Sequence, residues 1–298
     1  MLMTIDCGNT QTVIGLFSGH ELVDHWRIAT APERTSDELA LMFQQFLGFH
    51  GFSFDAQVSG IAIASGVPRV TAALREMTER YFGFSALVLE PGVRTGMPIL
   101  YDEPKNVGAD RIANAVGAYD LYGGPTIVVD FGTANTIDAV SEKGEYLGGA
   151  IFPGIEISLE ALFERAAALR SVELVAPKNV IGKSTIEAIQ SGAVYGFSGQ
   201  IDAIVDRFRA ELGPATVVST GGLAELIIPH SRTIEHFEPW LTLQGLRIVH
   251  ERNTYARPTS PAAATYAPIA ARTESFAWPI TVTAVMPSPA SRNVNARR

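Results

Sequence analysis

The sequence predicts an α/β protein built of two similar halves, each a mixed sheet flanked by helices. Three observations carry this. An apolar run twice ends in aspartate and turns through glycine into hydroxyl and amide residues, at Asp6-Cys7-Gly8-Asn9-Thr10 and again at Asp130-Phe131-Gly132-Thr133, 124 positions later. Each half opens with short β-branched strands in succession and then brings in helices, so an antiparallel meander is combined with crossover connections. The 298 residues, 47% of them hydrophobic, suffice for two domains with substantial cores. An aspartate at the carboxyl end of a strand can hold a metal, directly or through water. The turn after it offers backbone N–H groups and hydroxyls to phosphate oxygens, and glycine permits the close approach. One Asp-x-Gly is also an ordinary turn; two copies point to a duplicated domain closing on one nucleotide from both sides.

In order along the chain, residues 3–5, 12–17 and 20–28 read as a three-stranded meander. Leu39, Met42, Phe43, Phe46 and Leu47 have helical spacing over 36–49, with Ser36 as N-cap. A buried strand at 60–64, a helix over 70–82 and a strand at 86–89 complete the first half. A helix over 112–119 leads to Gly123-Gly124-Pro125, which separates the halves. The second half repeats the order: strands at 126–129, 136–140 and 145–152, helices over 157–169 and 186–209, a strand at 216–219 and a closing helix over 241–251. The domains expected are therefore 1–118 and 119–253. From Thr254 the composition changes: the last 45 residues hold six prolines, eleven alanines, five arginines and one acid. That segment, 254–298, is expected to be disordered, although 280–285 alternates enough to form a strand on binding.

Composition excludes several function classes. The net charge is −8; the tail contributes +4, which leaves −12 on the body. A nucleic-acid footprint needs a basic face, so none is expected. The single cysteine, Cys7, excludes an internal disulfide or a multi-cysteine zinc site, and its place in an apolar strand suits a small core residue. No apolar stretch reaches the roughly 18 residues of a membrane span. The first residues run into a strand without a signal-peptide pattern, so a cytoplasmic address is expected.

Ile181-Gly182-Lys183-Ser184-Thr185 matches the end of a P-loop, but the motif's first glycine falls at Pro177 and no strand enters it. A Walker-type site is rejected. Three clusters remain. Gly108-Ala109-Asp110-Arg111 opens a helix; Asp110 there is either a cap with a local ion pair or a general base beside an anion-binding fork. Gly148-Gly149-Ala150-Ile151-Phe152-Pro153-Gly154 reads as a glycine-rich strand-to-helix turn, and Thr220-Gly221-Gly222 follows a buried strand. Each is ambiguous alone.

Their order is informative. Asp-x-Gly-Asn-Thr, Gly-Ala-Asp-Arg, Asp-Phe-Gly-Thr, Gly-Gly-Ala-Ile-x-Pro-Gly and Thr-Gly-Gly follow one another as in the acetate kinase–sugar kinase–Hsp70–actin superfamily. Within it the chain resembles the type III pantothenate kinases, which include the Bvg accessory factors, over about residues 1–253. Asn135 departs from the family, which more often has threonine there. The resemblance implies two actin-like (ribonuclease H-like) domains with a nucleotide cleft between them, in a homodimer with the acceptor pocket near its interface. It implies ATP-dependent phosphorylation of the primary hydroxyl of pantothenate, the first step of coenzyme A synthesis.

Residue by residue, the resemblance makes Asp6, Cys7, Gly8, Asn9, Thr10, Gln11, Thr12 and Val13 the first phosphate-binding loop, with Asp6 toward Mg²⁺ and its waters. Thr133 meets ATP from the second loop, Gly221 and Gly222 lie near the adenosine, and Asp130 holds a monovalent cation, K⁺ or NH₄⁺. Asp110 is the proton acceptor. Gly108, Ala109, Arg111, Tyr101 and Thr185 meet pantothenate, whose carboxylate suits a guanidinium fork. Two other readings stand beside this one: a non-catalytic, transcription-related accessory protein of the same fold, and a kinase for another small hydroxyl compound. The presence of Asp6, Asp110, Asp130 and Thr133 together disfavours the first.

Overall fold

A computed structural model describes residues 1–52, 57–166 and 169–254. The expected disordered tail, except Thr254, and its candidate strand at 280–285 lie outside the described residues. The first sheet holds β1 (Leu2–Cys7), β2 (Gln11–Ser18), β3 (Glu21–Ala29), β4 (Gly60–Ser65) and β5 (Leu87–Val88) in the order β3-β2-β1-β4-β5. β1, β2 and β3 are antiparallel, and β4 and β5 continue parallel to β1. Between them come α1 (Ser36–Phe49) and α2 (Pro68–Met77), the latter running on into a π-helical turn at Thr78–Phe82. α3 (Ala109–Tyr122) follows and crosses position 118, where the sequence places its domain boundary.

The second sheet holds β6 (Thr126–Phe131), β7 (Ala134–Val140), β8 (Tyr146–Pro153), β9 (Thr216–Thr220) and β10 (His236–Phe237) in the order β10-β9-β6-β7-β8. From the meander edge, both sheets read third, second, first, fourth, fifth. The two first strands correspond: Asp6 pairs with Val13 and Ala64, and Asp130 with Thr136 and Thr220. The helices of this half are α4 (Ile155–Arg165), α5 (Thr185–Leu212), the single turn α6 (Ala224–Ile227) and α7 (Leu241–Thr254).

Strand alternation assigns each residue to a layer. Met3, Ile5 and Cys7 point outward into a core with Leu39, Phe43 and Leu47 of α1 and Leu74 and Met77 of α2. Ile127, Val129 and Phe131 point outward against Ala193, Phe197, Ile201 and Val205 on α5. The opposite faces meet α3 and α7: Ala62 and Ala64 pack with Ala113, Val116, Leu246 and Val249, while Val128 packs with Ala118 and Leu241. The layers therefore run helix, sheet, helix pair, sheet, helix. The same alternation places Asp6, Asp130 and Asp138 on the inner faces, toward α3. The helix pair is in backbone contact, since a Cβ on Gly245 would overlap the Ala113 carbonyl and one on Gly117 would lie 2.9 Å from the Leu241 carbonyl.

Several element ends differ from the sequence reading. The N-cap of α1 is Thr35, not Ser36: its hydroxyl accepts from Glu38 N–H and the Glu38 carboxylate accepts from Thr35 N–H, a capping box that buries Ser36. α4 begins two residues earlier than expected and stops at Arg165, with Ala166 in extended backbone. The glycine-rich stretch runs within β8, expected over 145–152 and ending at Pro153, so the turn into α4 is confined to Gly154; Gly149 lies against the Ile137 carbonyl, where a Cβ would overlap. Cys7 is buried, as expected of a core residue.

Asn135 sits in β7 with 0% exposure, and among the described residues neither its Oδ1 nor its Nδ2 has a hydrogen-bond partner. An unsatisfied buried polar group costs roughly 1–3 kcal/mol. Asn135→Val removes that penalty and suits a strand, so its urea midpoint is expected to rise above the parent's; a fall would mean that the amide is satisfied after all.

Candidate active site

Three carboxylates converge where β1, β6 and α3 meet. Asp6 and Asp130 stand one residue before the ends of β1 and β6, and Asp110 lies in the first turn of α3, where the helix dipole favours a negative group. Asp110 is exposed, and its Oδ1 accepts from Arg111 N–H at 2.8 Å. Gly108 precedes it as N-cap, and a Cβ there would overlap that same oxygen. Of the expected cap with a local ion pair only a first-turn hydrogen bond is present: Gly108 is the N-cap and Arg111 pairs with Asp138 instead, while the Asp110 carboxylate acts on both partners. Burial first, then repulsion from Asp110 and Asp130, pushes Asp6 well above the usual carboxylate range. Burial, then Asp110, pushes Asp130 up to about 7, against the pull of a hydrogen bond from Asn114 and with a further push from Asp138.

These shifts make a prediction about stability. An unfolded Asp ionises near its ordinary value of about 4. Between there and about 7 the folded chain holds a proton on Asp130 that the unfolded chain has released, so this group's contribution to stability is present at low pH and lost as pH rises through 7. With ATP and added cations removed, the parent's urea midpoint is expected to fall more between about pH 5.5 and pH 8 than that of Asp130→Asn. Equal pH dependence in the two proteins would remove the claim. The three carboxylates do not form one metal-ligating group among the described residues; singly, Asp6 and Asp130 offer the oxygen ligands that hard cations take, with no cationic side chain among the groups that shift either.

The loops after the two strands meet. In the first, Gly8 N–H donates to the Gln11 carbonyl at 3.0 Å, closing a tight turn whose Asn9, Thr10 and Gln11 are exposed. In the second, Gly132-Thr133 turns onto Gly154, whose N–H donates to the Thr133 carbonyl at 3.0 Å and whose Cβ would overlap Gly132 and Thr133. The Thr10 and Thr133 hydroxyls are hydrogen-bonded at 2.9 Å across the two halves. Thr12 does not face this space: it is buried, with its hydroxyl against Thr30 at 2.8 Å and Cys7 Sγ at 3.5 Å. Val13 is half-buried within β2. Gly221, at φ +95°, lies against the Asp130 strand; a Cβ there would be 2.6 Å from Asp130 Oδ1 and from Phe131 N. Gly222 lies near Arg27.

Arg111 is buried, and its fork is engaged. Nε and Nη2 donate to Asp138 Oδ1 at 3.0 and 2.5 Å, the Tyr146 hydroxyl donates to the same oxygen at 2.7 Å, and Thr136 Oγ1 donates to Oδ2 at 3.2 Å. Burial pushes the Asp138 carboxyl up, while Arg111, Tyr146 and Thr136 pull it down. The guanidinium lies 5.8 Å from the Tyr146 ring centre, and the Tyr101 ring lies 6.4 Å from the same ring. Gly149 makes room for the pair, since a Cβ would sit 2.6 Å from Asp138 Oδ1. Tyr101, Gly108, Ala109, Asp110 and Arg111 are thus together. Thr185 is not: it opens α5, exposed, with no hydrogen bond to that group among the described residues. Ser184 caps α5 by accepting from Glu187 N–H at 3.2 Å, and the Lys183 N–H donates to the Glu187 carboxylate, so the P-loop-like stretch is a helix cap.

The residues that sequence reasoning missed are Asp138, Tyr146, Asn114 and Thr242. Asp138 had a signal: it is a charge in the apolar run Ile137-Asp138-Ala139-Val140, and a buried charge requires a partner.

The profile of the family described as Type III pantothenate kinase matches residues 2–207. The chain is 58% identical over 261 residues to the Type III pantothenate kinase of Streptomyces griseus subsp. griseus, across 85% of this chain and 98% of that protein. Among solved structures, one described as a Baf family transcriptional activator from Campylobacter jejuni covers 84% of this chain and 98% of its own, at TM-score 0.53 and 20% identity. The (R)-2-hydroxyglutaryl-CoA dehydratase component A of Acidaminococcus fermentans covers 85% and 98%, at TM-score 0.53 and 14% identity. At these identities the two structures bear on the fold alone, which is the actin-like arrangement of two duplicated mixed sheets. With two-thirds of its length matched by the family profile and more than half of its aligned residues shared with that curated relative, the chain belongs to the type III pantothenate kinase family.

Proposed function

We propose that this protein transfers the γ-phosphoryl group of ATP to the primary hydroxyl of pantothenate, giving 4′-phosphopantothenate, the first step of coenzyme A synthesis. The observation that carries the reading is the position of Asp110: an exposed carboxylate at a helix start, facing two strand-end carboxylates and two phosphate-type turns. Asp110 accepts the hydroxyl proton as the oxygen bonds to phosphorus and ADP departs. The transition state is loose, so the chain's contribution is positioning and charge balance. Residues 8–11 and Thr133 receive the phosphates, so the Thr10–Thr133 hydroxyl pair opens toward them when ATP enters. Asp6 would hold the divalent ion through its waters, and Asp130 would hold K⁺ or NH₄⁺. Mg²⁺, when bound, would offset the phosphate charge. Arg111 and Tyr101 line the acceptor side; with its Nε and Nη2 given to Asp138, Arg111 presents pantothenate a positioned edge rather than an open fork.

Two actin-like halves closing on the nucleotide suit this chemistry, as does a cytoplasmic setting; the boundary expected between 118 and 119 falls inside α3. Among the described residues no helix is long and apolar enough to cross a membrane. A homodimer is supported by apolar side chains left exposed in the second half: Leu147 and Ile151 on edge strand β8, Ile157 and Leu162 on α4, Ile181 shortly before α5 and Ile186 at its start. A second copy at this surface would also bring an acceptor-side group to Thr185, which has no hydrogen bond to one among the described residues. Coupled ADP release with pantothenate, against a panel of sugars and short hydroxy acids and with or without potassium, tests the function. Turnover of pantothenate alone supports it; none of pantothenate, or equal turnover of a sugar, overturns it.

A further inference from the structure

We propose that Asn114, braced by Thr242, is the positioning residue that aims Asp130 into the site. Asn114 lies on α3 four residues after Asp110, so the two share one face of the helix one turn apart. It is 0% exposed, and its Nδ2 donates to Asp130 Oδ2 at 2.9 Å. Its Oδ1 accepts from the Thr242 hydroxyl at 2.7 Å, from the C-terminal helix α7. The two bonds fix the amide's orientation, because the flipped amide would set oxygen against the Asp130 carboxylate. Backbone contact of α7 with α3 at Gly245 and Gly117 holds Thr242 in reach. On the far side, Asp130 Oδ1 is left clear because residue 221 is glycine and has no Cβ to meet it. One oxygen is thereby anchored and the other presented. A single rigid helix then sets the separation between the proton-accepting carboxylate and the cation-side carboxylate.

This inference rests on the reading of Asp130 as the cation residue. Removing the outer partner of a metal-ligating group typically costs about 10–100-fold in affinity. Asn114→Ala is expected to raise the potassium concentration for half-activation by about 10-fold, to weaken calorimetric binding of a non-hydrolysable ATP analogue in the presence of KCl, and to leave the KM for pantothenate near the parent value. Thr242→Val, which keeps shape and loses the donor, is expected to shift in the same direction by less, and Thr242→Ser to restore the parent constants. A purely structural role would lower the melting temperature with all constants moving together or none. Asp130→Asn separates the two readings. If it leaves the potassium dependence intact, the assignment of Asp130 fails; if it abolishes that dependence while Asn114→Ala and Thr242→Val change neither half-activation nor analogue binding, the positioning role fails.

Discussion

Asp110→Asn is expected to lower turnover by about two to four orders of magnitude, the usual loss on removing a general base, with the fold intact. The substitution keeps an oxygen where Oδ1 accepts from Arg111 N–H, so the start of α3 retains its bond. What it removes is the group proposed to take the hydroxyl proton. It also removes one of the charges that push Asp6 and Asp130 up. The variant is therefore expected to bind ATP and its cations as well as the parent or more tightly while turning over far more slowly, which separates loss of chemistry from loss of site. Stopped-flow or coupled ADP release gives the rate, and calorimetry with a non-hydrolysable analogue gives the affinity. Turnover at the parent rate would show that Asp110 is only a helix-start residue and that the proton leaves by another route.

How much of this was legible in the sequence depends on the range of the interactions. The duplicated strand–Asp–Gly pattern was readable because everything it needs is local: an apolar run, a terminal acid and a turn residue. The two sheets carry that through to identical strand order, with Asp6 and Asp130 at equivalent register positions. Thr35-Ser36-Asp37-Glu38 was equally local, and the capping box could have been preferred over Ser36 from the Thr-x-x-Glu spacing. The Asn114 anchor was not readable. Asp130 is 16 positions from Asn114, and Thr242 is 128 positions away on a helix that returns from the second half to pack on the first. Nothing in the surroundings of an asparagine within Ala113-Asn114-Ala115 distinguishes a structural amide from one that aims a carboxylate. Two-residue β10 escaped for another reason: His236-Phe237 is a strand only because β9 offers it a parallel edge.

Asp138→Leu is expected to destabilise the protein by about 3–5 kcal/mol, the loss seen when one partner of a buried ion pair is removed. Both side chains of the pair lie almost wholly out of water, at 1% exposure for Asp138 and 7% for Arg111. Leucine leaves the guanidinium uncompensated and strands the Tyr146 hydroxyl and Thr136 Oγ1, both of which donate to the lost carboxylate. The pair as a unit is a different matter, because desolvating two charges offsets much of their attraction, and apolar replacement of both is often neutral or stabilising. Arg111→Met combined with Asp138→Leu is therefore expected to recover most of the stability lost in the single variant, while pantothenate turnover stays low because the guanidinium proposed to line the acceptor side is gone. Urea midpoints for the four proteins of this cycle give the coupling directly. If the double variant is as unstable as Asp138→Leu, the cost lies in packing around β7 and β8 rather than in an unpaired charge. If it regains full turnover, Arg111 serves the fold and not the substrate.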